Sequence, residues 1–311
     1  MAFYLVTGGA GFIGSHLVAE LVSRAERVRV LDNFSTGHRE NLAPAAGQAE
    51  IIEGDLRDYQ AVLRACQGVD YVLHQGALPS VQRSVDDPMT SHQVNVDGTV
   101  NVLEAARQSG VKRVVYASSS SVYGDKPTLP KHEEMAPAPK SPYAASKLAG
   151  EYYMQVFHQV FGLETTVLRY FNVFGPRQDP KSHYAGVIPR FIACLLNGGT
   201  PVIYGDGLQS RDFTYVANVV AANLLAATVP EATGQVMNIA CGERHSLLEL
   251  LELVGKVVGR QVQPQFEQER RGDVKHSLAD ISRARQYLGY QPQVSFEEGI
   301  CRTVKWAQEG S

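Results

Sequence analysis

The run Phe3-Tyr4-Leu5-Val6-Thr7 leads directly into Gly8-Gly9-Ala10-Gly11-Phe12-Ile13-Gly14, and an amphipathic stretch follows to about Arg24. An apolar strand that enters a glycine turn and leaves it as a helix narrows the fold severely. The chain must reverse within a few residues, and the helix must pack closely on the strand. The spacing Gly9-x-Gly11-x-x-Gly14 is that of a dinucleotide-binding turn. Its glycines let the backbone approach a pyrophosphate, and the helix amino terminus offers free N–H groups and a positive dipole end. A second strand, residues 27–31, ends at Asp32, eighteen residues beyond Gly14. A carboxylate at that place suits the ribose diol of NAD and repels the 2′-phosphate of NADP.

The rest of the first half keeps the same rhythm. Apolar runs at 3–7, 28–31, 51–52, 71–74, 114–117 and 165–168 alternate with helical patterns, the longest at 94–108 and 143–161. Such alternation predicts an α/β fold, a doubly wound parallel sheet with helices on both faces and ligands at the carboxyl ends of its strands. Beyond Tyr170 the rhythm is broken by Gly175-Pro176, Asp179-Pro180, Gly198-Gly199 and Gly205-Asp206-Gly207. We therefore expect residues 1–172, with a return segment at about 212–239, to form the NAD-binding Rossmann domain. Residues 173–211 and 240–311 are expected to form a smaller mixed α/β lobe that closes over a substrate.

Composition removes several function classes. With 311 residues, 44% of them hydrophobic, the chain can bury a large core. A net charge of -3 gives no reason to expect binding to nucleic acid or to an anionic membrane. Cys66, Cys194, Cys241 and Cys301 are scattered and read as reduced thiols of a cytoplasmic protein. The nine histidines include no HxxxH pattern, so no metal is expected. No run is long enough to span a bilayer, and with the glycine turn so close to Met1 no secretory signal is expected.

Several predicted strand ends carry polar or small residues. Asp55-Leu56 follows the third strand, where Asp55 can accept from an adenine amino group. Gln75-Gly76-Ala77 follows the fourth, where small residues admit a cofactor. Ordinary capped turns explain both equally well. Ser118-Ser119-Ser120-Ser121 ends the fifth strand. Tyr143 and Lys147 stand four residues apart on a predicted helix, hence on one face. A free phenol ionises near about pH 10. A neighbouring ammonium favours the phenolate and makes the tyrosine a plausible general base for a hydroxyl. The same pair is common on solvated helix faces, so its weight comes from the cofactor turn upstream.

Together, Gly8-x-x-Gly11-x-x-Gly14, Asp32, Asp55-Leu56, the serine run before Val122-Tyr123-Gly124, and Tyr143-x-x-x-Lys147 resemble the extended short-chain dehydrogenase/reductase superfamily. More narrowly, the chain resembles the UDP-hexose 4-epimerases, essentially from end to end. The resemblance implies a catalytic Ser119 beside Tyr143 and Lys147. It also implies NAD contacts from Phe12, Ile13, Asn33, Ser35, Thr36, Gly37, Gln75, Gly76, Ala77, Pro79, Asn95 and Phe171, and a homodimer built on the helices near 94–108 and 143–161. Tyr152, Val156 and Val160 would supply its apolar face.

The same resemblance implies a UDP-sugar site in the second half. Asn172, within Arg169-Tyr170-Phe171-Asn172-Val173-Phe174-Gly175-Pro176-Arg177, would bind the diphosphate, and Val187 and Tyr204 would hold the uracil. Arg211, Arg270 and Asp273 would contact diphosphate and ribose, as forked guanidiniums and a carboxylate can. Ser80 and Ser120 would border the sugar, and Ser277 would stand beside its C2 substituent, where a small side chain leaves room for an N-acetyl group. Related dehydratases are expected to carry Asp-Glu directly after the catalytic hydroxyl residue. Here Ser120 and Ser121 occupy those places, which points to C4 inversion rather than elimination. A UDP-glucuronate 4-epimerase and a non-catalytic nucleotide-sugar sensor are the alternatives.

Overall fold

In the computed structural model, which describes residues 1–180, 186–269 and 275–310, seven strands form one sheet. They are β1 (Phe3–Thr7), β2 (Arg27–Asp32), β3 (Ala49–Glu53), β4 (Tyr71–His74), β5 (Arg113–Ser119), β6 (Glu164–Tyr170) and β7 (Val236–Ile239). Their order across the sheet is 7-6-5-4-1-2-3, and every pairing is parallel. Parallel strands joined by helical crossovers are buried on both faces, and β1 is buried along its whole length. Its residues divide between two cores: Tyr4 and Val6 face one, Phe3 and Leu5 the other.

Helices α1 (Phe12–Ser23) and α6 (Val216–Thr228) fill the first core. Helices α2 (Tyr59–Cys66), α3 (Gly98–Gln108) and α4 (Pro142–Phe161) fill the second. This is the doubly wound α/β arrangement. The remaining long helices, α5 (Val187–Leu196), α7 (Leu247–Val258) and α8 (Phe296–Glu309), extend the first core into the carboxyl-terminal part of the chain. Among the described residues three two-stranded sheets accompany them: Val173–Phe174 with Thr214–Tyr215, Ser210–Arg211 with His245–Ser246, and Val202–Tyr204 with Gln265–Glu267.

The chain runs outward through β1, β2 and β3 and then returns to lay β4 on the other side of β1. A crevice opens at such a reversal, outside the carboxyl ends of the strands. Thr7 lies opposite both Leu31 and His74 there, so the glycine turn emerges at the crevice. One predicted element differs in kind. The 94–108 pattern begins with a π-helical turn, Gln93–Asp97, before α3 starts at Gly98. The wider turn delivers Asn95 to the backbone of Leu78, with which its side chain exchanges two hydrogen bonds.

Candidate active site

The glycine turn is shaped by contacts that leave no room for side chains. Gly8 has φ +66°, which suits glycine, and a Cβ there would lie 2.7 Å from Gly76 Cα. A Cβ on Gly14 would stand 2.1 Å from the Gly8 carbonyl oxygen. Gly11 caps α1 without any side-chain hydrogen bond, so the first-turn N–H groups face the cleft. Asp32 is buried at the end of β2. Its two oxygens accept from Ala10 N (2.9 Å) and Phe34 N (2.8 Å), and each keeps a lone pair for a ribose hydroxyl. The donor set and the side-chain-free turn fit a dinucleotide.

A cavity of about 440 Å³ runs from this turn to the amino end of α4. Among the residues predicted to hold a cofactor, Gly8, Gly11, Phe12, Ile13, Gly14, Asp32, Asn33, Ser35, Thr36, Asp55, Leu56, Gln75, Gly76, Ala77, Pro79, Tyr143 and Lys147 line it, as does Ser80. Gly37, Asn95 and Phe171 stand behind the wall. A Cβ on Gly37 would lie 2.8 Å from the Ala10 carbonyl carbon, Asn95 binds Leu78 and Ser146, and Phe171 is fully buried. Two polar side chains at the cavity are already engaged. Asp55 is gripped by both arms of Arg57 and by Asn33 Nδ2, and the Arg57 hydrogen bonds hold it well below the usual carboxylate range. Gln75 turns its amide to Tyr170 and Asn223.

At the far end of the cavity, α4 starts at Ser141, whose hydroxyl accepts from Ala144 N, with Pro142 in the first turn. The Tyr143 N–H donates to the buried Ser84 hydroxyl at 3.0 Å, fixing the helix start against the segment Val81–Asp86. The Ser119 side chain stands beside the Tyr143 phenol. Burial pushes the phenol above its ordinary value, and the neighbouring Ser119 hydroxyl works against the rise. Lys147 is 4% exposed, and its Nζ donates to the Ala117 carbonyl at 2.8 Å rather than to the phenol. Burial brings its ammonium down to about 7, opposed by the charge of Glu151. Ser119, Tyr143 and Lys147 are therefore gathered at one point, with Ser120 in the turn that follows Ser119.

A second cavity, of about 540 Å³, adjoins the first, and Gln178 and Gly186 border both. Asn172, Val187, Tyr204 and Arg211 line it. Asn172 has φ +34°, a conformation that asparagine tolerates better than most residues. Its Nδ2 donates to the Asp212 carbonyl at 2.9 Å. Asp212 accepts from the N–H groups of Cys241, Gly242 and Ala279, tying the end of β7 to the segment that carries Ser277. Ser277 is partly buried and donates its N–H to the Ser210 carbonyl. Arg270 and Asp273 lie outside the described residues.

Sequence reasoning missed four kinds of participant. Gln178 and Gly186 join the cavities, Arg83 and Asp179 line the first, Ser84 anchors Tyr143, and Glu151 pairs with Arg169 behind Lys147. Glu151 alone carried a readable signal, since it continues the Tyr143, Lys147 spacing by another four residues.

Residues 4–240 match the NAD dependent epimerase/dehydratase family. A UDP-glucose 4-epimerase of Mycolicibacterium smegmatis is 42% identical over 315 aligned residues, covering 99% of each chain. Two solved structures superpose over nearly the whole length. A UDP-N-acetylglucosamine 4-epimerase from Methanobrevibacter ruminantium, in complex with UDP-N-acetylmuramic acid, is 43% identical with a TM-score of 0.95, covering 100% of this chain and 99% of that one. A Thermus thermophilus UDP-glucose 4-epimerase in complex with NAD is 40% identical with a TM-score of 0.90, covering 99% and 100%.

Proposed function

We propose, for a chain that belongs to the NAD dependent epimerase/dehydratase family, that its reaction is inversion at C4 of a UDP-hexose. The observation that carries this reading is that Tyr143 and Lys147, with Ser119 beside them, line the end of a dinucleotide cavity that a second cavity adjoins at Gln178 and Gly186. The turn at Gly8, Gly11 and Gly14 and the first-turn N–H groups of α1 would hold the pyrophosphate of NAD. Asp32 would hold its adenosine ribose. When bound, NAD supplies the hydride acceptor and donor that turn the C4′ carbinol into a ketone and back.

This chain's residues handle the proton and the sugar. Tyr143 takes the proton from the 4′-hydroxyl and later returns it. Ser119, beside the phenol, holds the same sugar oxygen. Buried beside them, Lys147 contributes positive charge that offsets the burial of a phenolate. Asn172 and Arg211 hold the diphosphate while Val187 and Tyr204 enclose the uracil. The hexose turns about that anchor and offers its other face. Ser120 and Ser121 present no carboxylate at the positions expected of a dehydratase, so the ketone is reduced and no water is eliminated from it.

The sugar is the finer part of the proposal. If Ser277 stands beside C2 as the sequence resemblance implies, its small side chain leaves space there, which supports interconversion of UDP-GlcNAc and UDP-GalNAc alongside UDP-Glc and UDP-Gal. Residues 1–172 with 212–239 serve the cofactor, and 173–211 with 240–311 serve the sugar nucleotide. We place the enzyme in the cytoplasm as a homodimer. Its four free thiols, at Cys66, Cys194, Cys241 and Cys301, support a reducing compartment.

The test is a panel of UDP-sugars incubated with purified protein and analysed for C4 inversion, with the bound nucleotide identified after denaturation. We expect inversion of the N-acetyl sugars and release of NAD. Tyr143→Phe should lower turnover by at least about a hundredfold while retaining NAD. Unchanged turnover in that variant would remove Tyr143 from the role of base.

A further inference from the structure

Glu151 lies one helical turn beyond Lys147 and two beyond Tyr143, so the three side chains share a face of α4. The carboxylate is buried, and so is its partner: side-chain exposures across the Glu151–Arg169 pair are 2% and 5%. Arg169 Nε and Nη2 fork onto it at 2.9 and 2.6 Å, and the Ser118 hydroxyl donates to the same oxygen as Nε. Arg169 Nη1 points away, donating to the Tyr123 hydroxyl at 2.9 Å, which in turn donates to Asn238 Oδ1 at 2.7 Å. The acidic end of the pair thus belongs to the helix that carries Lys147, and the basic end runs off through β6 toward β7. Consecutive residues of β5 set both partners of that helix face. The Ala117 carbonyl holds Lys147 Nζ, and the Ser118 hydroxyl holds Glu151.

A buried ion pair is a poor device for stability, because desolvating two charges offsets most of their attraction. This one has a different use. We propose that Glu151, oriented by Arg169 and Ser118, is a positioning residue that keeps Lys147 cationic on the face of α4 that bears the Tyr143 phenol. The inference rests on the epimerase reading for what that charge does, but not for whether the charge is held. Lys147, Glu151 and Arg169 sum to one buried positive charge one turn from the phenol, the sign a phenolate needs. The groups around Lys147 leave that role to Glu151. Tyr143 lies on the same helix, and the Tyr116 ring on β5 stands 4.9 Å from Nζ. His74 on β4 is buried and neutral, and Arg169 on β6 is a second cation. Glu151 is the one anion of the set, and its charge opposes the burial that draws the Lys147 ammonium down.

The experiment follows the Lys147 side chain itself. In holoprotein carrying 13C-labelled lysine, with the Lys147 signal assigned through Lys147→Met, the titration of its Cε resonance is compared in wild type, Glu151→Gln and Glu151→Asp. Glu151→Gln should lower the Lys147 midpoint by at least about one pH unit, and Glu151→Asp should restore more than half of that shift. The alkaline limb of the turnover profile should move to lower pH with it, while KM for the UDP-sugar stays within about twofold. An unchanged midpoint in Glu151→Gln overturns the proposal and leaves Glu151 a packing residue. Should Glu151→Gln not fold around an unpaired guanidinium, the double variant Glu151→Gln, Arg169→Met is read by the same midpoint against Arg169→Met, so that the Glu151 charge alone differs between the two. A downward shift there supports the proposal, and none overturns it. Because the titration needs no sugar nucleotide, a protein that inverts no UDP-sugar yet shows the shift contradicts the epimerase reading and not this one.

Discussion

An alanine methyl at position 14 would meet the Gly8 carbonyl oxygen at 2.1 Å and Gly9 Cα at 2.8 Å, both of them backbone atoms that no rotamer change can move aside. Gly14→Ala must therefore push α1 off the turn. We expect a loss of about 1–3 kcal/mol of stability together with loss of copurifying NAD, read by thermal unfolding and by nucleotide release. Wild-type nucleotide content in the variant would refute the assignment of the turn. Contacts of this kind are legible in sequence because a backbone constraint admits one residue type. Gln75 and Asn95 illustrate the opposite case. Both lie next to the cofactor cavity, yet their amides serve Tyr170, Asn223, Leu78 and Ser146. Which partner satisfies a polar side chain is decided by tertiary packing, and nothing local announces it. Lys147 belongs between these cases. Its spacing from Tyr143 is a helix property and is readable, whereas its bond to the Ala117 carbonyl depends on where β5 lies.

At the scale of elements, α4 carries chemistry on one side and an unusual surface on the other. Tyr143, Lys147 and Glu151 face the sheet, while Tyr152, Val156, Val160 and Phe161 are exposed at 54%, 45%, 67% and 51%. Val81, Val85 and Met89, on the short helices that pack against α4, are exposed as well. Exposed apolar side chains on neighbouring helices are what an interaction surface offers, and a second copy of the chain is the occupant proposed above. Replacing Val156 and Val160 with aspartate puts four charges into a two-fold interface. We expect the wild type to sediment as a dimer and the double variant as a folded monomer, its dissociation constant raised on the order of a hundredfold. A double variant that still sediments as a dimer would place the interface elsewhere. Helical periodicity is enough to name that outer face. It is not enough to foresee the π-helical turn at Gln93–Asp97, since a single widened turn leaves the apolar pattern on either side of it intact.

The molecule as a whole ties its cleft together with two histidines that stay neutral. His74 is buried between Thr7 and Thr99. Thr99 donates to the Asn95 carbonyl, so it accepts from His74 Nε2–H, and Nδ1 is left to accept from Thr7, whose oxygen accepts the Gly76 N–H. His16 on α1 donates from Nε2 to the Pro176 carbonyl, joining the cofactor turn to the loop after β6. Burial lowers both, His74 to about 3 and His16 to about 4. The sign follows from proton uptake. An unfolded chain protonates its histidines near about pH 6.5, while the folded chain resists until the lower values are reached. Stability from these sites is thus complete above about pH 6.5, declines as pH falls, and is exhausted for His16 near 4 and for His74 near 3. Each contributes a slope on the order of 1 kcal/mol per pH unit across its window. These two sites should therefore contribute a falling free energy to urea unfolding of the wild type at pH 7, 6 and 5. In His74→Asn the protein should be less stable at pH 7 but lose less per unit of pH. Parallel lines for the two proteins would mean that His74 is already protonated in the folded state, and the tautomer assigned to it from Thr7 and Thr99 would be wrong.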